Sequence, residues 1–265
     1  MSRLNSLWCR IAYGSWLLAI ANPSQAELVW KADFEDPAKN SQTTLVEAGG
    51  QNNTFSAIKP GGLMTLSECK VVTGGTAPKF MKGGVLYVEA VNSGGENGLG
   101  AVRLTQASLR HFTPGNAVVL SYDLYYSADQ AFSIGVEART SRDQRLGNTL
   151  YIPNLPKGVP LRITVVVNRG GDPVTLPGDL GALEANRMAT YYYDGSRFSR
   201  VEISDAISFK GEMAGFAISL SLSKLKPGGM LAVWYDHFGI WTQASDLVDG
   251  VSVLKLPPGT GIPQV

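Results

Sequence analysis

The chain has 265 residues, a formal net charge of +1, and 44% hydrophobic against 17% charged residues. That is enough apolar material for a sizeable core and too little charge for a disordered chain. A charge this close to zero excludes a polyanion binder that works by bulk electrostatics. With 30 glycines and 14 prolines, the composition suits an all-β protein with many turns, built as one large domain or two small ones.

Residues 1–26 read as a secretory signal peptide. Arg3 and Arg10 make a basic start, Ile11 to Ala21 is mostly apolar, and Pro23 breaks a helix. Ser24-Gln25-Ala26 then offers the small residues that signal peptidase needs. The apolar run falls short of the roughly 20 residues that span a bilayer. Cleavage after Ala26 removes two arginines and no acid, taking the net charge to −1, and leaves Cys69 as the only thiol. No internal disulfide can then form. Cys69 has no His nearby in sequence and reads as a small buried hydrophobe in a strand, not a nucleophile. No second apolar run after residue 26 is long enough to cross a membrane. The expected location is secreted or periplasmic.

From there the period is close to two. Leu28 to Phe34 is a first strand and Gly83 to Ala90 another. Asn116 to Ser127 places Leu120, Tyr122, Leu124 and Tyr126 on one side, with Ser121, Asp123, Tyr125 and Ser127 on the other. Ala131 to Thr140 repeats this, with Phe132, Ile134, Val136 and Ala138 against Ser133, Gly135, Glu137 and Arg139. Such alternation sets one face against a core and the other toward water or ligand. Leu161 to Asn168 is a β-branched run and a central strand. Ala189 to Tyr193 runs into Asp194-Gly195, a pair that supplies the positive φ of a tight hairpin, and Arg200 to Ile203 returns. Phe216 to Leu222 alternates again, Pro227-Gly228-Gly229 turns, and Met230 to Trp241 is the last strong strand. Single helical turns are expected near Leu104–Leu109 and Leu180–Asn186, and loops at Asn40–Pro60 and at Gly94–Gly100. The pattern predicts one antiparallel two-sheet β-sandwich over residues 27–249, followed by a Pro/Gly-rich tail over 250–265.

Three motifs carry a resemblance. They are the opening Asp33-Phe34-Glu35-Asp36-Pro37, the hairpin Thr190-Tyr191-Tyr192-Tyr193-Asp194-Gly195, and the closing strand from Val233 to Trp241 with Asp236-His237-Phe238 at its centre. Together they resemble secreted jelly-roll domains of the concanavalin A-like lectin/glucanase type, including laminin-G-like and carbohydrate-binding modules. The resemblance implies a jelly-roll fold but no single function, because this fold hosts lectins, glycanases, lyases and adhesion domains.

Glu35 and Asp36 near the first strand and Asp236 in the last can meet where the ends of the domain come together. Asp236 shares its side of the alternation with Trp234, Phe238 and Ile240, which pulls it toward the core. A buried carboxylate is hydrogen-bonded or binds a cation. Two outcomes stay open: a structural calcium ion, as in the resembling modules, or capping of backbone amides or pairing with an Arg. No cofactor is required on either.

A polar ligand face is the second candidate. Asp123 and Tyr125, Glu137 and Arg139, and Tyr235, His237 and Trp241 fall on the polar sides of three strands, with Tyr192 a weaker member. If those strands share a sheet, they form a groove of aromatic rings, carboxylates and a guanidinium, the mixture that sugar recognition needs. The alternative is a solvated face with cross-strand ion pairs.

The Glu-x-Asp-x-x-Glu strand of retaining glycanases is absent, and Glu137 has no second acid at alternate positions. Arg139, His237, Tyr235 and Tyr125 are the residue types a polysaccharide lyase uses, although the Gln-x-His signature of such enzymes is missing. No P-loop ending, zinc spacing, nucleophile elbow or basic cluster points to other chemistry or to nucleic acid. The expected function is an exported non-catalytic module binding a glycan on a concave sheet face. A lyase acting on uronate-containing glycans and a purely structural domain remain as alternatives.

Overall fold

The computed structural model describes residues 27–32, 34–35, 55, 57–62, 64–73, 77–79, 81, 83–94, 98–106, 112, 117–126, 133–152, 155–176, 179–204, 213–225, 227–243, 246–248 and 251–253. The expected signal peptide over 1–26, Asp36 and the residues beyond 253 lie outside them.

The strand period dictates the architecture. Seventeen strands and no helix occur among the described residues. The eight-stranded sheet contains β13 (Phe198–Ile203), β12 (Arg187–Tyr193), β9 (Leu161–Asn168), β6 (Ala117–Tyr126), β15 (Met230–Gln243), β4 (Gly84–Asn92) and β3 (Met64–Thr73), in that order. Its eighth member, β1 (Glu27–Ala32), also pairs with β15. The five-stranded sheet runs β2 (Ala57–Gly62), β5 (Gly98–Gln106), β14 (Met213–Leu225), β7 (Ser133–Thr140) and β8 (Arg145–Ile152). All pairings in these two sheets are antiparallel.

The inward sides of both sheets form one core. Leu86, Leu120, Tyr122, Leu124, Ile163 and Tyr235 from the larger sheet meet Leu104, Ile134, Val136, Leu150, Phe216 and Ile218 from the smaller. Facing layers with alternating inward side chains are what a sandwich requires. The fold is thus an all-β, two-sheet antiparallel sandwich of jelly-roll type, as expected.

Several local expectations change. Leu104 to Gln106 belongs to β5, while residues 107–109 of that expected turn lie outside the described residues; Ala182–Leu183 is a short strand, β11, in place of the second turn. Part of each glycine-rich or loop-like stretch is strand: Gly98–Gly100 opens β5, and Ala57–Pro60 opens β2. A small third sheet joins β11, β10 (Val174–Thr175), β17 (Val251–Val253) and β16 (Asp246–Val248), with β10 and β17 parallel. Regular structure therefore continues past Asp249. Leu176, Leu180 and Leu183 cover Val119, Val166, Ala189 and Tyr191 on the outer face of the large sheet.

Strand β15 changes neighbours halfway along. Met230 to Tyr235 pair with β4, whereas Phe238 to Thr242 pair with β1. Its other side follows β6 from Val233 to Gln243, with a register shift between Asp236 and Gly239. His237 sits in that bulge at φ 48°. One extra residue there reverses the alternation: Tyr235, Phe238 and Ile240 face the core, while Asp236 pairs with outward-facing Asp123. Trp241 lies outward, its ring over Gly239, where a Cβ would have no room.

Candidate functional site

The bulge brings charged groups of three central strands together on the outer face. Arg162, Asp123 and Asp236 are cross-strand neighbours on β9, β6 and β15. The Arg162 guanidinium donates to Asp123 through Nε and, at 2.8 Å, through Nη2. Asp123 Oδ2 also accepts from His237 Nδ1 at 2.8 Å. Asp123 and Arg162 are buried, while the His237 side chain is 48% exposed. Asp236 Oδ1 accepts the backbone N–H of His237 at 2.7 Å, which replaces a ladder bond lost at the bulge. Its Oδ2 lies 3.3 Å from His237 Nδ1.

Environment sets the protonation. Burial lifts the Asp236 carboxyl to about 7; the neighbouring His237 opposes this, and Asp123 and Glu35 reinforce it. His237 is raised from its ordinary value, chiefly by its hydrogen bond to Asp123. That hydrogen bond favours the charged form of the ring, which sits beside two acids.

A row of rings runs alongside. Trp234 on β15 is opposite Tyr125 on β6 and Tyr87 on β4. Its ring centroid is 5.6 Å from that of Tyr125 and 5.1 Å from that of Tyr87. The three half-buried rings rest on Val72, Ala77, Met81 and Val85. This apolar footing fixes them while leaving part of each exposed. Tyr87 donates to Glu89 Oε2 at 2.5 Å.

Of the residues expected to form one groove, Asp123, Tyr125 and His237 come together. Glu137 and Arg139 do not join them, because β7 belongs to the other sheet. There Arg139 Nη1 binds Glu137 at 2.7 Å, and Asp143 holds Arg139 Nε at 2.9 Å and Arg103 Nη2 at 3.1 Å. Thr149 donates to Glu137 at 2.7 Å. These ion pairs run within β7, to the turn that follows it and to Arg103 on β5. Tyr235 is in the core, 6.0 Å from Tyr122 ring to ring, and not on the polar face. Tyr192 likewise packs against the core. Trp241 is outward, half-buried on the His237 side of the sheet. The lyase set is thereby split between two sheets and the core. Sequence reasoning missed Arg162, Trp234 and Tyr87.

Of the three residues named for calcium, Asp36 lies outside the described residues. Glu35 Oε1 accepts from Gly84 N at 3.3 Å, and Asp236 turns to His237. Two carboxylates undershoot the six to eight oxygens that calcium takes. Among the described residues no group of three His, Cys, Asp or Glu is disposed to hold a metal. Cys69 is buried, and burial pushes its thiol up to about 11, as suits an inert core residue.

No family model and no curated protein matches the chain. Among solved structures it is similar to peanut lectin in complex with a nine-residue peptide, at 8% identity and TM-score 0.37, over 71% of this chain and 98% of the lectin. It is also similar to the CBM22-1 xylan-binding domain from Paenibacillus barcinonensis, at 12% identity and TM-score 0.34, over 83% of this chain and 97% of that domain. A structure of carbohydrate-binding modules from the β-sandwich superfamily matches at 11% identity and TM-score 0.36, over 69% of this chain and 56% of that one.

Proposed function

We propose that this chain is an exported, non-catalytic glycan-binding module that takes its ligand on the outer face of the eight-stranded sheet. The observation that carries the reading is the row Tyr125–Trp234–Tyr87 lying beside the Asp123–Arg162–His237 cluster. Flat, anchored rings offer surfaces for the apolar faces of pyranoses. Beside them, His237 is half exposed with Nδ1 engaged by Asp123, which leaves its other nitrogen to meet a sugar hydroxyl. Arg162 and Asp123 hold each other rigid and position the ring, so little order is lost on binding. Export rests on the pattern of residues 1–26.

The test is affinity gel electrophoresis of the full chain against a panel of soluble polysaccharides: mixed-linkage glucan, xylan, mannan, galactan and alginate. Retardation by at least one polymer is expected. Unretarded migration of folded protein through all of them would overturn the reading.

A further inference from the structure

The glycan reading leaves one group of rings unused. Tyr193 on β12 is opposite Arg162 on β9, which places it on the same face as the polar cluster. Phe198 on β13 pairs with Tyr193, with ring centroids 4.8 Å apart. Tyr191 closes the group, 5.8 Å from Phe198 and nearly perpendicular to it. The Tyr193 hydroxyl donates to Gly195 O at 3.0 Å, and Asp194 Oδ1 accepts from the amides of Ser196 and Arg197 at 2.9 and 3.0 Å. Ring and turn are therefore held in place. Half-buried Tyr193 and Phe198, backed by buried Tyr191, make a second anchored platform.

The two platforms flank the polar cluster. In the order β12–β9–β6–β15–β4, Tyr193 is three strands from Trp234 and four from Tyr87. At about 4.8 Å per strand that is about 14 and about 19 Å across the sheet. One sugar ring cannot reach both. Charge narrows the ligand further. The Arg162 fork is already given to Asp123, so it is not free to bind a uronate. Asp236 and Glu35 stand nearby as further carboxyl groups. The exposed ring of His237 is already paired with Asp123 and Asp236, so the cluster offers an acidic chain no unpaired cation.

We infer that the ligand is a neutral, extended, β-linked chain lying across the strands, long enough to touch Tyr193–Phe198 at one end and Trp234–Tyr87 at the other. The inference rests on the glycan reading above. It adds the length, direction and charge of the ligand. A flat β-1,4-linked ribbon suits two platforms set on one sheet face, because its equatorial linkages present successive ring faces along a straight line.

Isothermal titration of the full chain with cello- and xylo-oligosaccharides, from the dimer to the hexamer, tests it. Affinity in at least one series is expected to climb about tenfold or more from dimer to hexamer. Tyr193→Ala is expected to bring the hexamer-to-dimer affinity ratio close to one, and Tyr193→Phe to keep it. Retention by a polymer with a ratio near one in the wild type, or an unchanged ratio in Tyr193→Ala, would overturn the extended-chain inference and leave the glycan reading standing. Retention by alginate alone would overturn the neutral-chain part. Retention by no polymer would overturn the glycan reading itself.

Discussion

Replacing Arg162 by methionine removes the guanidinium that binds Asp123 through two nitrogens. Both side chains are 7% exposed, so the carboxylate left behind cannot be rehydrated without opening the sheet between β6 and β9. Breaking a buried ion pair from one side costs about 3–5 kcal/mol. His237 stays 2.8 Å from Asp123 and still pairs with it. The expected loss is therefore at the lower end, about 3 kcal/mol. That is a large share of a stability of about 5–15 kcal/mol. It corresponds to a fall in Tm of roughly 6–12 °C for a domain of this size. Urea denaturation at neutral pH measures it. The double variant Asp123→Asn/Arg162→Met is expected to regain part of the loss, because the orphaned charge has gone. The loss in Arg162→Met should be nearly the same at low and molar salt, since buried pairs are poorly screened. A loss under about 1 kcal/mol that shrinks with salt would refute a buried pair and describe a solvated one.

Four other outcomes follow from particular contacts. Folding raises Asp236 to about 7, so the folded chain holds this proton more tightly than the unfolded one. Its contribution is full below the ordinary carboxylate value of about 4 and is lost as pH rises to about 7. His237, also raised, adds a contribution that is full below about 6.5 and lost above it. The stability of the wild type minus that of Asp236→Asn, followed by denaturation across this range, should fall with rising pH, and a flat difference would contradict the shift. Tyr122→Phe removes a buried hydroxyl with no hydrogen-bond partner among the described residues, so thermal melts should show no loss or a gain of about 1 kcal/mol. Tyr126→Phe breaks a 2.5 Å bond to Leu155 O and should cost about 1 kcal/mol by the same melts. Gly239→Ala drives a methyl into the Trp241 ring and should cost about 1–3 kcal/mol. Relief in a Trp241→Leu background, seen in the same melts, is the check.

The strands were legible where alternation was strong. Residues 161–168 form β9, and 117–126 form β6, because a half-buried or central strand writes its burial into its own sequence. The site was legible only in part. Counting alternation unbroken through Val233–Trp241 puts Asp236 on the side of Phe238 and Ile240 and Tyr235 on the ligand side. The bulge at His237 reverses both assignments, and its only local sign is Gly239 two residues on. Arg162 was in view as a charge inside the apolar run Leu161-Arg162-Ile163-Thr164-Val165, a pattern that requires a buried partner. Which partner it takes depends on β9 lying beside β6, a pairing between strands some 40 residues apart in sequence that no local pattern encodes. The same blindness to sheet membership grouped Glu137 and Arg139 with His237, although they lie on opposite sheets.

The proposal that ligand is held on the outer face of the eight-stranded sheet is tested most directly by comparing two aromatic variants on the polymer that retards the wild type. Trp234 lies at the centre of the ring row on that face. Tyr151, 53% exposed, lies on the opposite sheet against Gly135. With both variants shown to be folded by circular dichroism, Trp234→Ala should lose most of the retardation and Tyr151→Ala should keep it. Retention kept in Trp234→Ala and lost in Tyr151→Ala would contradict the assignment and move the site to the other face.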